Sequence, residues 1–138
     1  MANAIYPTYK NSLLQGDANT ALTGSGATGL YVALVDTGTY TYSAAHQFYS
    51  SLSGIAGTDQ EITTATTTGG LIDGDNVTFP AVSAGANIEA LVLYRKNAGA
   101  NTTWRLIAYI DTSVTGLPVT PNGGDISIAW NGSGIVQL

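Results

Sequence analysis

The chain has a single histidine, His46, and it is the first residue to test for chemistry, because a Ser-His-Asp relay needs an imidazole between a hydroxyl and a carboxylate. Its neighbours Ala45, Gln47, Phe48 and Tyr49 have the character of packing residues, and a structural histidine is expected. Asp73 and Asp75 are the carboxylate pair most suggestive of glycoside hydrolysis. Such pairs work only when contrasting environments keep one acid protonated. In Asp73-Gly74-Asp75-Asn76 the two acids flank a turn glycine, and solvated turn residues are expected. Calcium is the alternative for the same oxygens, but the full loop of spaced acids with a closing glutamate is missing. No catalytic, cofactor-binding or metal-binding residue is therefore assigned.

Other candidates are weaker. Gly24-Ser25-Gly26 and Gly123-Gly124 lack the lysine of a phosphate-cradling loop and read as turns. Arg95, Lys96 and Arg105 beside Tyr94 and Trp104 have the residue types of a small nucleic-acid or sugar platform. Strand-end charges and a core tryptophan are the favoured reading of that group. Tyr31, Tyr40 and Tyr42, taken as exposed, would offer stacking faces to a glycan. Cysteine is absent, which removes disulfides, thiolate nucleophiles and zinc-thiolate sites together.

The elements that must position these residues are mostly strands. Residues 5–16 read as a short amphipathic helix, with Pro7 in the first turn, Gly16 at the close, and Ile5, Tyr6, Tyr9, Leu13 and Leu14 on the apolar side. Residues 17–29 form a turn-rich loop, and Leu30 to Asp36 a core strand. Residues 43–52 have helical spacing, and a single short helix or turn is expected between Ser43 and Gly54. Gln60 to Thr68, rich in threonine, suits an edge strand. Val77-Thr78-Phe79 is a strand that Pro80 ends or confines to an edge. Asn87–Lys96 and Thr103–Thr112 form a hairpin through the loop 97–101; both strands are apolar on both faces and belong in the middle of the fold. Alternation at Ile126, Ile128 and Trp130 marks a strand with one buried face. The sum is an all-β fold, an antiparallel β-sandwich of jelly-roll or Greek-key type with a short N-terminal helix, in a single domain spanning 1–138.

Composition narrows the function. Only 9% of the 138 residues are charged, against about 25% in ordinary soluble domains. Hydrophobic residues stand at 44% and the mean hydropathy is +0.15, so the composition is not that of a disordered chain. A net charge of -5 with four basic groups opposes binding to a phosphate backbone, and no nucleic-acid partner is expected. The longest apolar runs are far below the ~20 residues of a membrane-spanning helix, so no membrane partner is expected either. Met1 to Lys10 lacks the features of a secretory signal, which would leave the sequons at Asn76, Asn101 and Asn131 idle.

Several blocks recur in a familiar order. They are Ile5-Tyr6-Pro7-Thr8-Tyr9-Lys10 running into Leu13-Leu14-Gln15-Gly16, Tyr31-Val32-Ala33-Leu34-Val35-Asp36, His46-Gln47-Phe48-Tyr49 and Asp75-Asn76-Val77-Thr78-Phe79. Then follow Glu89-Ala90-Leu91-Val92-Leu93-Tyr94, Leu106-Ile107-Ala108-Tyr109-Ile110-Asp111, and Gly124-Asp125-Ile126-Ser127-Ile128-Ala129-Trp130 with Gly134-Ile135. In that order and spacing the chain resembles a family of small virion structural proteins of tailed bacteriophages. The resemblance covers nearly the whole chain and rests on the order of the blocks. It implies a non-enzymatic part of the particle, made in the bacterial host cytoplasm and located in the virion, with no cofactor. A capsid decoration or cement protein on the head is the leading expectation, with the major capsid protein and copies of itself as partners. A small tail or baseplate subunit bound to tail proteins, and a glycan-binding module, are the alternatives. Low charge agrees independently, because Thr, Ser, Asn and Ala are buried against neighbours at lower desolvation cost than ions. The N-terminal helix, or the threonine-rich edge at 60–68, is the expected contact with a neighbouring subunit.

Overall fold

Apolar runs in mid-chain form a five-stranded antiparallel sheet in a computed structural model that describes residues 3–22 and 29–138. The chain opens with β1 (Ala4–Ile5), passes into α1 (Pro7–Gln15), and returns as β2 (Gly29–Val35) and β3 (Ile55–Glu61). After β4 (Leu71–Ile72) and β5 (Val77–Phe79) come β6 (Ala90–Lys96) and β7 (Arg105–Ile110), and the chain closes with β8 (Ile126–Ile128) and β9 (Val136–Gln137). The main sheet has the order β1-β7-β6-β2-β3; β4 pairs with β9 and β5 with β8 in separate two-stranded ribbons.

The hairpin expected at 87–112 is the centre of this sheet. Leu91 lies opposite Ile110, Leu93 opposite Ala108, and Arg95 opposite Arg105, with a bulge between Leu93 and Tyr94. Ala90 to Arg95 and Leu106 to Ile110 are all buried, as strands apolar on both faces require. A 3-10 turn at Asn101–Thr103 completes the connection. The strands β5 and β8 also form where alternation placed them. Val77, Phe79, Ile126 and Ile128 turn inward, while Thr78 and Ser127 are exposed and face each other at 3.3 Å. Buried side chains from Tyr6 to Trp130 form one cluster, to which β2, β6 and β7 contribute most.

The single short helix or turn expected between Ser43 and Gly54 is a 3-10 turn at Tyr49–Ser51, and Phe48 before it is extended at φ -125, ψ 158. The cause of the extension is tertiary. Leu106 N–H donates to Gln47 C=O at 2.9 Å and Tyr49 N–H to Trp104 C=O at 2.8 Å, so this backbone serves the outer edge of β7. β1 covers the same edge further along, pairing Ala4 with Tyr109. The edge strand expected at 60–68 is real but lies at 55–61. Its ladder ends at Glu61, and Thr66 turns instead to Asp73.

The helix starts at Pro7 and ends as expected at Gly16, whose left-handed backbone (φ 71) lets Gly16 N–H reach Leu13 C=O and Asp17 N–H reach Ser12 C=O. Its buried face differs from the expected one. Tyr6 just before it, Tyr9 and Ser12 point inward, whereas Leu13 and Leu14 are exposed. Among the described residues no helix is long and apolar enough to cross a membrane. The Gly24-Ser25-Gly26 turn lies outside the described residues.

Candidate functional site

The residues flagged for chemistry are distributed over four polar knots. At the first, β1 and the loop after β2 bring Tyr6, Tyr40 and His46 together. Tyr6 Oη lies 2.8 Å from Tyr40 Oη, and Tyr40 Oη lies 2.8 Å from His46 Nδ1. Thr8 Oγ1 donates to the His46 carbonyl at 2.8 Å. Burial, reinforced by the Tyr40 contact, raises the Tyr6 hydroxyl well above its ordinary range, so it remains neutral. His46 thus ties the start of α1 to the 37–46 segment, and the partner of its Nδ1 is a phenol. Tyr40, expected on the surface, is buried at 2% exposure.

The second knot was not anticipated. Asp59 projects from β3 under the 3-10 turn, where Tyr49 Oη donates to its Oδ2 at 2.7 Å and Tyr94 Oη donates to the same oxygen at 2.8 Å. Asp59 Oδ1 is buried without a protein partner. Burial raises the Asp59 pKa, against the opposing pull of the two hydroxyls and of Lys96. The rings close around it: Tyr94 stacks on Trp104 at 5.8 Å, and Tyr49 meets both edge-on at 4.7 and 5.2 Å. Lys96 Nζ caps the group, 4.9 Å from the Tyr31 ring and 5.1 Å from that of Trp104. Trp104 directs its indole N–H to the carbonyls of Asn97 and Gly99 at 3.1 and 3.0 Å. The aromatic platform is consequently a folded-in cluster with its polar handles used internally. A signal for Asp59 was present, since aspartate is depleted in strands.

Arg95 and Arg105, opposed across β6 and β7, form the third knot. Both guanidinium groups reach over the sheet end to the loop behind α1. Arg95 donates to Ala21 C=O and Lys96 C=O; Arg105 donates to Ala18 C=O at 2.9 Å and Ser12 Oγ at 2.8 Å, with Asp17 at 3.7 Å. Two like charges are tolerated face to face because each is solvated by backbone carbonyls.

Asp73 and Asp75 make the fourth. Asp73 Oδ1 accepts from Gly74 N–H at 2.9 Å, and Asp75 Oδ2 from Thr63 Oγ1 at 3.1 Å. The Asp75 carbonyl and the Asn76 side chain take the indole and backbone N–H of Trp130, both at 2.9 Å. These contacts anchor a core tryptophan, but the tight turn expected at Asp73–Asn76 does not form: Asp73 sits in an isolated bridge with Thr66 and residues 74–76 have no turn. Among the described residues no group of three or more His, Cys, Asp or Glu side chains is arranged to hold a metal ion.

One surface feature stands apart from these knots. Leu14 is 87% exposed, Leu138 45% and Leu13 37%. With Lys10 they line a shallow hollow of ≈ 270 Å³ beside α1.

Comparison of the chain with protein-family models, curated proteins and solved structures gave no match in any of the three.

Proposed function

We propose that the chain is a non-enzymatic structural protein of a tailed-bacteriophage virion, a decoration or cement protein that binds the outside of the head and stabilises contacts between major capsid subunits. The observation that carries this reading is the internal use of the reactive side chains: His46, Asp59, Asp75, Arg95, Arg105 and Trp104 each fasten one segment of the chain to another. What remains for the surface is short and mostly uncharged, with 9% charged residues in the whole chain. Such a surface suits burial against neighbours. An acidic chain also fits the outside of a head better than a position facing DNA. In the same reading the fold is sandwich-like, with the five-stranded sheet as one layer and the two ribbons as pieces of a second.

Counting copies tests the proposal. Quantitative mass spectrometry of purified virions is expected to give hundreds of copies, comparable with the major capsid protein. A few dozen or fewer would move the chain to the tail, and none would remove it from the particle. The internal use of Trp104 and Tyr40 argues against the glycan-binding alternative.

A further inference from the structure

We propose that Asn131 is a site of spontaneous modification, converting to aspartate and isoaspartate through a cyclic imide with loss of ammonia, and that the fold protects the other Asn-Gly pair, at Asn122, from the same reaction. The site is independent of the function proposed above. Its chemistry needs an asparagine whose following backbone nitrogen is accessible, and glycine in the next position leaves it so because it has no Cβ. The chain has two such pairs, Asn122-Gly123 and Asn131-Gly132, and all four residues are exposed. Exposure and local sequence therefore do not separate them. Hydrogen bonding does. Gly123 N–H donates to Val82 C=O at 2.8 Å, and Val82 N–H returns to Gly124 C=O at 3.0 Å. The nitrogen that would attack Asn122 is thus held in a bridge to another segment. Gly132 N–H has no hydrogen-bond partner among the described residues, and a Cβ added at Gly132 would meet nothing within 4 Å.

The turn also activates Asn131. Ser133 N–H donates to its Oδ1 at 2.8 Å, and Gly134 N–H donates to its backbone C=O at 2.9 Å. The first of these bonds folds the side-chain amide back along the chain, since the ring it closes contains both Asn131 Cγ and Gly132 N. It also sets a donor on the oxygen where negative charge develops as that nitrogen adds to Cγ. In the reaction Gly132 N gives its proton to hydroxide and bonds to Cγ; the Cγ–Nδ2 bond then breaks, and the side-chain nitrogen takes a proton from water and leaves as ammonia. Water next opens the imide. Attack at the former main-chain carbonyl gives isoaspartate, and attack at the former side-chain carbonyl gives aspartate. Asn122 has the same side-chain contact, from Gly124 N–H to its Oδ1 at 3.0 Å, so the difference between the two sites lies in the attacking nitrogen. Isoaspartate carries the main chain through Cβ and lengthens it at this point. Trp130, just before it, is fixed by Asn76 and Asp75, so the added length falls on the segment leading to Ile135, whose N–H donates to Ile72 C=O. The modification therefore loosens the β4–β9 ribbon.

The test holds purified full-length chain in mildly alkaline buffer, with and without urea, and follows both sites by peptide mapping with fragmentation that distinguishes isoaspartate. In the native protein Asn131 is expected to react about tenfold or more faster than Asn122, the population factor for opening the two bonds that hold Gly123. In urea the two rates converge. Gly132→Ala suits a backbone outside the left-handed region and meets no neighbour, so the variant folds; it is expected to lose the modified Asn131 peptide while Asn122 reacts as before. Equal native rates, or a faster reaction at Asn122, would overturn the proposal. An undiminished preference for Asn131 in urea would overturn it too, because local sequence and not the fold would then be selecting. Hydrogen exchange of the modified native protein is expected to accelerate at residues 135–138, and unchanged exchange there would overturn the link to the ribbon.

Discussion

Asp59 shows how burial and hydrogen bonding compete at a single residue. Its ordinary pKa is 3.8, burial moves it upward, and the hydroxyls of Tyr49 and Tyr94 with Lys96 only partly restore it. A folded-state pKa above the unfolded one means stability that is fully present below the ordinary value and lost as pH rises through the raised value. Asp59→Asn removes this titration and leaves the other carboxylates as they are. Urea unfolding of both proteins between acid and neutral pH is therefore expected to show the difference, wild type minus Asn variant, falling as pH rises above ~4. A difference independent of pH would mean that Asp59 does not titrate with folding. The same residue marks a limit of sequence reading. Tyr49 and Asp59 are ten positions apart and Tyr94 is 35 beyond, and Asp59 lies in the irregular stretch of β3 between the paired residues Ala56 and Gln60.

At the scale of elements, α1 is held both by its buried Tyr9 and by what reaches it from the sheet. Ser12 is buried at 2% exposure and accepts Arg105 Nη1, while the Arg105 Nε holds Ala18 C=O. Arg105→Met keeps the apolar stem and removes the donors, leaving the buried Ser12 hydroxyl without this partner. The expected cost is about 1–3 kcal/mol in urea unfolding, with hydrogen exchange accelerating at residues 17–22. Unchanged exchange there would show that the helix and its loop stand without the guanidinium. The helix boundaries were legible because proline and glycine act locally on φ and on the N–H donor. Its buried face was not, because Leu13 and Leu14 look like core residues while Ser12 goes inward for a hydrogen bond with a residue 93 positions away.

The molecule as a whole is organised around β2, β6 and β7, with thinner structure at its margins. β4–β9 contains only two residue pairs and β5–β8 three, whereas β2 and β6 pair at seven positions. Native-state hydrogen exchange is expected to be slowest for amides of β6 and its neighbours β2 and β7, and markedly faster in β4 and β9, because the central amides open only with global unfolding. Equal protection across both ribbons and the sheet would contradict this hierarchy.

Sequence alone determined the features that depend on local chemistry: the β-rich class, the β6–β7 hairpin, the β5 and β8 strands, the ends of α1, and a charged fraction of only 9%. Each follows from side-chain periodicity, from proline and glycine, or from simple counting. The tertiary structure decided which backbone and side-chain groups find distant partners. It drew residues 47–49 onto the edge of β7, buried Tyr40 against Tyr6 and His46, and used Arg95 and Arg105 to clamp the α1 loop. It also left Leu13 and Leu14 outside, because Tyr9 and Ser12 already occupy the inward side of the helix. Long-range hydrogen bonds satisfy buried polar groups at a net gain of roughly 1 kcal/mol each, enough to override a local preference of similar size. Their partners are set by the closed fold, which leaves no periodic mark in the chain.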